Sequence, residues 1–533
     1  MKSRLFAGTG IWMRFILRRE RITSLIWLFA LVFMTMLVPV LFQDMYSVAA
    51  DRQAIALSMD SPAMIAMLGP NYGRENYTVG VMFANEMLAF SLIAVAVMNI
   101  NLVVRHTRGD EEQGRIEMIR ALPIGRLANV SAVLMVALIL NGVLGAAIGI
   151  GLSTLGIESM HMEFCMLYGT ALGIAGMFFA AAAALFAQLC GSARGVMGVG
   201  YVFMGMCYML RAVGDINNET LARISPMGLL LRTQVFVQNH WWPVWIIAAL
   251  AILVTFSALG LNAIRDMDQG FIPARPGRRQ APMALSSPMG LAWRLLRDTL
   301  AAWMIGMFVL GAAYGSIMGD LEAFLNGNEL LSQMLNTSSG HTLTEMFITM
   351  LMSVQAITAT VPTLTVLLKL RGEEQRGRLE HLLTRPVSRV RLLLGYLGMA
   401  CAVSVAVLFA AMCGLWSAGA AVMEVPPAFG GMCAAMMVYL PALWVMVGVA
   451  ALLTGIAPRC TGIVWGYLGF SFLSVYMGGL LQWPDWVKLL TPFGHIPQLP
   501  AEDVRISTLA ILTGIAILLA GVGLAGFRHR DIT

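Results

Sequence analysis

Residues 108–117 read RGDEEQGRIE, and residues 371–380 read RGEEQRGRLE. The same offset also aligns Pro123 with Pro386. Agreement at so many positions, glycine and proline among them, indicates an internal duplication rather than chance. We therefore predict a chain built as two similar halves, each carrying one copy of this charged loop.

The composition around the two loops is that of a membrane protein. Of 533 residues, 58% are hydrophobic and only 12% are charged, whereas a soluble domain carries roughly 25% charged residues. So few charges cannot cover a water-facing surface, so lipid must be the solvent for much of the chain. The net charge of +6 comes from basic residues scattered over short loops, which argues against a nucleic-acid partner.

The apolar runs predict an all-α, polytopic fold, because a helix that crosses the hydrocarbon core needs about 20 mostly apolar residues. About twelve such runs can be found, six in each half. They lie near residues 22–42, 79–104, 128–152, 164–189, 195–213, 242–264, 299–318, 342–370, 389–420, 428–457, 461–481 and 504–527.

The distribution of Lys and Arg predicts the orientation, since loops on the cytoplasmic side carry the excess of positive charge. With the N-terminus in the cytoplasm, an even number of spans also places the C-terminus there. Of the 35 Lys and Arg residues, those left on the outer side are then Arg52, Arg74, Arg211, Arg223, Arg232, Lys488 and Arg505.

The domain boundaries follow from the same reading. We predict a first six-span half over residues 1–264, a basic cytoplasmic linker over 265–288 and a second six-span half over 289–533. A second echo supports the duplication, because SPMG at 225–228 matches TPFG at 491–494 ahead of the last span of each half. Two parallel copies of six spans would be related by an axis along the membrane normal.

The repeated loop has the composition of a short amphipathic helix. Its acidic residues precede its basic ones, which suits the helix dipole, and a proline ends it. Glu111–Arg115 and Glu374–Arg378 would form i,i+4 ion pairs along that helix. A helix that only lay on anionic lipid would favour Lys and Arg over these carboxylates, so a protein partner is the preferred interpretation over an interfacial helix.

The stretch R-G-E-E-x-x-G-R-L-E-x-L-x-x-x-P-V-x-R at 371–389 resembles the first cytoplasmic loop of ABC-type exporter permeases. The duplicated twelve-span form resembles the permeases of bacterial polyketide-antibiotic and multidrug exporters. The resemblance implies that each loop is a coupling helix that docks on a separate ATPase subunit. It also implies connecting helices at 10–21 and 290–298, and re-entrant outer segments at 214–241 and 482–503.

The resemblance assigns the ATPase-coupling role to matching positions of the two loops. Those of the first are Arg108, Glu111, Gly114, Arg115, Glu117 and Pro123, and those of the second are Arg371, Glu374, Gly377, Arg378, Glu380 and Pro386. Two ATPase subunits, identical or different, would bind there.

The catalytic chemistry is expected outside this chain. The sequence holds no G-x-x-x-x-G-K-[ST] motif to cradle phosphates, so ATP and Mg would bind to the partner subunits and this chain would not be an enzyme. No His, Cys, Asp or Glu cluster has metal-ligand spacing, and the seven Cys lie in or beside apolar runs, where helix packing accounts for them.

Polar residues inside the predicted spans are candidates for the substrate path, because polar groups in hydrocarbon are costly. The candidates are Glu86, Asn141, Glu345, Gln355, Thr358 and Thr360. Hydrogen bonding between packed helices is the competing explanation for the amide and the hydroxyls, and snorkelling or capping is the competing one for the carboxylates. A hydrophobic or amphipathic cargo such as an antibiotic, exported across the bacterial plasma membrane, fits the resemblance.

Two other classes of protein remain as alternatives. A twelve-span secondary transporter of the major facilitator type would need titratable groups near the membrane midplane for proton coupling, and the predicted spans contain none there. A membrane enzyme or assembly scaffold would need His, Asp or Glu clustered at the membrane face, and none converges in the sequence.

Overall fold

The computed structural model describes residues 5–60, 62–120, 123–266, 269–272, 280, 282–316, 318, 343–384, 387–423, 428–477, 483–497 and 506–530. Every regular element within these ranges is helical. The chain divides into two compact units, Met1–Gly277 and Arg278–Thr533. The predicted all-α, polytopic membrane fold is confirmed.

The first unit contains twelve helices within the described ranges. They are α1 (Thr9–Met45), α2 (Ala49–Ser58), α3 (Pro62–Leu68), α4 (Val79–His106), α5 (Arg108–Glu112), α6 (Arg115–Arg120), α7 (Ala128–Ser153), α8 (Met162–Leu189), α9 (Ala193–Asn217), α10 (Glu219–Ile224), α11 (Pro226–Leu231) and α12 (Trp242–Ile264).

The second unit repeats the succession of long helices. Its α-helices within the described ranges are α13 (Pro288–Ser316), α14 (Leu343–Gln375), α15 (Arg378–Leu383), α16 (Arg389–Val422), α17 (Phe429–Met437), α18 (Leu440–Ile456), α19 (Ile463–Phe472), α20 (Asp485–Leu489) and α21 (Ile506–His529).

Eleven helices of the described part are long and apolar enough to cross a membrane. They coincide with eleven of the twelve predicted spans. The run at 461–481 forms the ten-residue helix α19, which continues as a π-helical turn over Leu473–Met477. The expected connecting segments 10–21 and 290–298 are not separate helices, because α1 and α13 run through them without a break.

Small residues bring the helices of the first unit into backbone contact. Helix α8 packs against α4, α7 and α12. A side chain added at Gly169 would place its Cβ well under 3.0 Å from the carbonyl oxygen of Gly145 on α7, and one added at Gly145 would collide with Gly169 in turn. Membrane helices associate through such small-residue contacts because lipid supplies no hydrophobic drive between them.

The second unit has two seams of the same kind. On α13 and α16, Gly311 and Gly414 lie against backbone atoms of the facing helix. On α18 and α21, Gly455 and Gly523 do the same. These two helix pairs have the most extensive contacts in the unit.

The repeated S/T-P-x-G element forms the same capped turn in both units. The Ser225 hydroxyl accepts a hydrogen bond from the Gly228 amide at 3.4 Å and donates one to the carbonyl of Cys207 on α9 at 2.6 Å. The Thr491 hydroxyl accepts from the Gly494 amide at 3.2 Å. In the first unit, the capped turn starts α11, whose buried side chains fold back against α9.

Candidate functional site

Each charged loop turns at a glycine. Gly114 has φ +69° and Gly377 has φ +67°, the left-handed region that L-residues rarely adopt. Their amides donate to the carbonyls of Glu111 and Glu374 at 3.0 and 2.9 Å, which ends the preceding helix. The expectation of one helix across each loop is therefore wrong. The acidic residues belong to the end of the second span of each half, and the short helices α6 and α15 begin only after the glycine.

The broken helix changes the ion pairing that the sequence predicted, because Glu111 and Arg115 no longer share one helix. Arg115 pairs with Asp110 at 2.8 Å, and Asp110 also binds Arg19 of α1 at 2.7 Å. In the second unit, Arg378 pairs with Glu373 at 3.4 Å. The predicted ion pairs Glu111–Arg115 and Glu374–Arg378 are therefore wrong. Asp110 and Glu373, the residues before these glutamates, pair with Arg115 and Arg378 instead.

A buried histidine joins the first loop to the first span. The Nε2 atom of His106 lies 2.8 Å from Glu20 of α1, and its Nδ1 atom lies 3.3 Å from Asp110. Ionised carboxylates only accept hydrogen bonds, so this arrangement favours the doubly protonated, charged form of the ring. The aligned position in the second unit is Lys369, which pairs with Glu373 at 3.1 Å.

Glu111 faces the interior of its own unit. It is 6% exposed, and its two carboxylate oxygens accept from Nη2 of Arg265 at 3.0 and 2.9 Å. Arg108, three residues earlier, lies 3.3 Å away and also donates to the carbonyl of Ala187 on α8 at 2.7 Å. The carboxylate thus ties the loop to residues of the unit itself.

The second loop repeats this arrangement. Glu374 is 5% exposed, and it pairs with Arg530 at 2.7 Å and with Arg371 at 3.1 Å. We call the two ion pairs Glu111–Arg265 and Glu374–Arg530 the glutamate clamps. In each, the arginine directly follows the last long helix of its unit, α12 or α21.

A smaller set of loop side chains is exposed. Glu117 and Glu380 are exposed, while their neighbours Ile116 and Leu379 are buried and anchor α6 and α15. Arg378 is also exposed, and so is Pro123. Pro386 lies outside the described residues. Each loop therefore has a buried rear, which holds Glu111 or Glu374, and an exposed face, which holds Glu117 or Glu380.

Three of the residues predicted for the substrate path make local hydrogen bonds. The Asn141 side chain on α7 exchanges two hydrogen bonds with Asn99 on α4, at 2.7 and 3.0 Å, and both residues are buried. Thr358 and Thr360 donate to carbonyls of their own helix, Val354 at 2.8 Å and Ala356 at 3.0 Å. These bonds satisfy the three side chains within the unit, and their place on a substrate path stays a prediction.

Two other residues predicted for the substrate path have buried polar atoms without a hydrogen-bond partner among the described residues. Gln355 of α14 is fully buried, and neither atom of its amide has a hydrogen-bond partner among the described residues. In the first unit, the Oε1 atom of Glu86 on α4 is buried and has no hydrogen-bond partner among the described residues. Glu345 starts the first turns of α14, but its side chain lies outside the described residues.

Across the ranges that the structure describes, no group of three or more His, Cys, Asp or Glu residues could hold a metal ion. All seven Cys are free thiols.

The described residues contain eleven apolar helices of spanning length, with buried ion clusters at the ends that carry the loops, and these define a multi-pass α-helical membrane protein. The family model described as "Multidrug efflux system permease Rv1217c, C-terminal domain" matches residues 13–265 and 285–528. The chain belongs to this permease family. It is 34% identical over 537 residues to the multidrug efflux system permease protein Rv1217c of Mycobacterium tuberculosis, a match that covers 99% of this chain and 96% of that protein.

Proposed function

We propose that this chain is the permease subunit of an ATP-driven exporter of the ABC type. Two ATPase subunits, identical or different, dock on its two charged loops and supply the energy. The loops and both termini lie in the cytoplasm of a bacterial cell, and the spans lie in the plasma membrane. The observation that carries the proposal is the repeated loop, with its glycine turn, buried rear and exposed face.

The architecture of the loop supports docking by a protein. Buried ion pairs fix the rear, so the exposed face is presented in one geometry and little order has to be imposed on binding. Gly114 and Gly377 place this face beyond the end of a long helix, where a subunit outside the membrane can reach it. The face carries charge of both signs in the second loop, Glu380 and Arg378, which suits a complementary protein surface more than anionic lipid.

The sequence indicates which subunits would bind ATP. No phosphate-cradling motif occurs in the 533 residues, so ATP and Mg would be bound by the partner subunits. This chain would form the path of the substrate across the membrane. The name of the mycobacterial relative and the apolar composition both favour a hydrophobic or amphipathic cargo.

Inverted membrane vesicles test the proposal directly. Vesicles from cells that overproduce the chain with its ATPase subunits should accumulate ethidium when ATP is added. Accumulation should persist when valinomycin and nigericin collapse the ion gradients, and a non-hydrolysable ATP analogue should not support it. Uptake that needs an ion gradient and no ATP would reject the proposal in favour of a secondary transporter. Absence of ATP-dependent uptake, with both subunits folded in the vesicles, would reject it as well.

A charge reversal on the exposed faces should weaken docking. The double variant Glu117→Arg, Glu380→Arg is expected to reduce the ATPase subunit that co-purifies with the tagged chain by about tenfold, because both faces change sign while the buried rear is untouched. Glu158→Arg with Glu163→Arg is the matched control, since these exposed carboxylates lie in the loop after α7 and in the first turn of α8, at the opposite helix ends. Equal recovery of the ATPase with both variants would contradict the docking role.

A further inference from the structure

We infer that Arg265 and Arg530 are positioning residues that hold each docking loop against the last span of its half, so that movement of the loop is passed to that helix. The inference rests on the proposed function and deepens it. Neither arginine belongs to the repeated motif, and both lie next to the loop only because the fold brings the end of the last span there.

The contact itself is short and shielded. Arg265 engages both oxygens of Glu111, and the exposed fractions of the two side chains are 8% and 5%. For Arg530 and Glu374 they are 14% and 2%. Water and salt screen a pair buried in this way much less than a surface pair, so displacing the loop carries the arginine with it or breaks a strong interaction.

A second guanidinium fixes each clamp arginine by its backbone. Arg389, at the start of α16, donates to the carbonyl of Arg530 at 2.6 Å. In the first unit, Arg126 donates to the carbonyl of Arg265. Each clamp therefore connects three elements: the loop, the end of the last span and the start of the third span. Arg265 also reaches the Ala187 carbonyl at the end of α8 at 3.4 Å.

The glutamate clamp recurs in both units, although the number of residues between the glutamate and its arginine differs. The offset that aligns the two loops would align Arg265 with Arg528, whose side chain is exposed. Arg530, two positions later in the sequence, makes the pair instead. Both units thus reach the same contact at a different spacing from the loop, which is a geometric recurrence beyond the repeat of the motif.

The carboxylates do not depend on the clamps for their charge balance. Glu111 also pairs with Arg108, and Glu374 also pairs with Arg371, each three residues earlier on the same segment. Loss of the clamp arginine would leave every glutamate paired inside its own loop. The added contact joins separate helices, so its main consequence is mechanical linkage between the loop and the last span.

The test compares transport with hydrolysis in one preparation. The complex of the full chain with its ATPase subunits is reconstituted into liposomes, and ethidium moved per ATP hydrolysed is measured. Arg265→Gln with Arg530→Gln should keep the ATPase bound and hydrolysing, while the ratio falls about tenfold, the size of a typical coupling free energy. Arg265→Lys with Arg530→Lys should recover part of the ratio, because a charge remains. Arg194→Gln with Arg528→Gln removes two exposed charges and should change nothing.

The outcomes separate the inference from the proposed function. If the wild-type complex forms and hydrolyses ATP, but the Gln variant keeps its normal ratio of transport to hydrolysis, the inference is overturned and the proposed function stands. If no ATPase binds or hydrolyses with the wild-type chain, the proposed function fails first. Should the double variant not fold, each single variant gives the same comparison because each half has its own clamp. Loss of folded protein in both single variants would overturn the inference in favour of a purely structural pair.

Discussion

Glu111→Arg combined with Glu374→Arg is expected to yield almost no folded protein. Each substitution places a guanidinium beside two others, Arg108 and Arg265 in the first unit, in a site with almost no access to water. Breaking a buried ion pair costs about 3–5 kcal/mol, and reversing the charge adds repulsion to that loss. A membrane domain of ordinary stability, about 5–15 kcal/mol, cannot absorb two such changes.

Size-exclusion chromatography in mild detergent measures the yield of folded, monodisperse chain, and a thermal scan measures the stability of each single variant. Gln113→Arg with Gln375→Arg is the matched control. These side chains lie next to the same turns but are exposed, so the same cation should be tolerated with a normal melting temperature. A normal yield of the glutamate double variant would contradict the buried ion clusters.

Gly414→Val is expected to be the most damaging single substitution among the helix seams. A Cβ at Gly414 would lie well under 3.0 Å from the backbone carbonyl of Phe308 on α13, and a backbone atom cannot move aside as a side-chain tip can. Overpacking costs about 1–3 kcal/mol where neighbours can adjust, and the cost at this site should reach or exceed about 3 kcal/mol. We expect a large fall in melting temperature and loss of efflux.

The control for this seam lies on the same helix. A Cβ at Gly398 meets no atom within 4 Å, so Gly398→Val should leave the melting temperature within a few degrees of wild type. The pair of variants separates steric conflict from any general intolerance of α16 to valine. Similar melting temperatures for the two variants would show that α13 and α16 do not touch at Gly414.

Sequence patterns predicted the spans well because the length of an apolar run is almost sufficient to specify a helix in lipid. They failed where a single backbone angle decides the outcome. Gly114 and Gly377 were counted as members of a helix, but the positive φ at each of them ends it. Glu111 and Glu374, just before the turn, consequently face inward, although the sequence had assigned both to a docking surface.

The clamp arginines and the histidine were missed for a different reason. Arg265 and Arg530 follow apolar runs, where the positive-inside rule already explains a basic residue. Glu20 lies among arginines in α1, and nothing local links it to His106. The pairing of such residues depends on tertiary packing. The one hint in the sequence is that an Arg-Asp dipeptide follows the last span in both halves, at 265–266 and 530–531.

The residues predicted for the substrate path also depend on tertiary packing that the sequence does not reveal. Sequence alone could not separate Asn141, which the structure pairs with Asn99, from Gln355, whose amide lacks a partner among the described residues. Both are amides within apolar runs. Only the positions of the neighbouring helices distinguish a satisfied packing contact from a buried amide that has no partner among the described residues.

The glycine seam between α18 and α21 has a consequence for how far a small displacement can reach. The backbones of the two helices are in contact at Gly455 and Gly523. Because no side chains separate them there, the two helices are expected to tilt together. Helix α21 has 24 residues, about 36 Å at 1.5 Å per residue, and Arg530 lies just past its end. A displacement of Arg530 is therefore expected to move both ends of α21, and α18 with it.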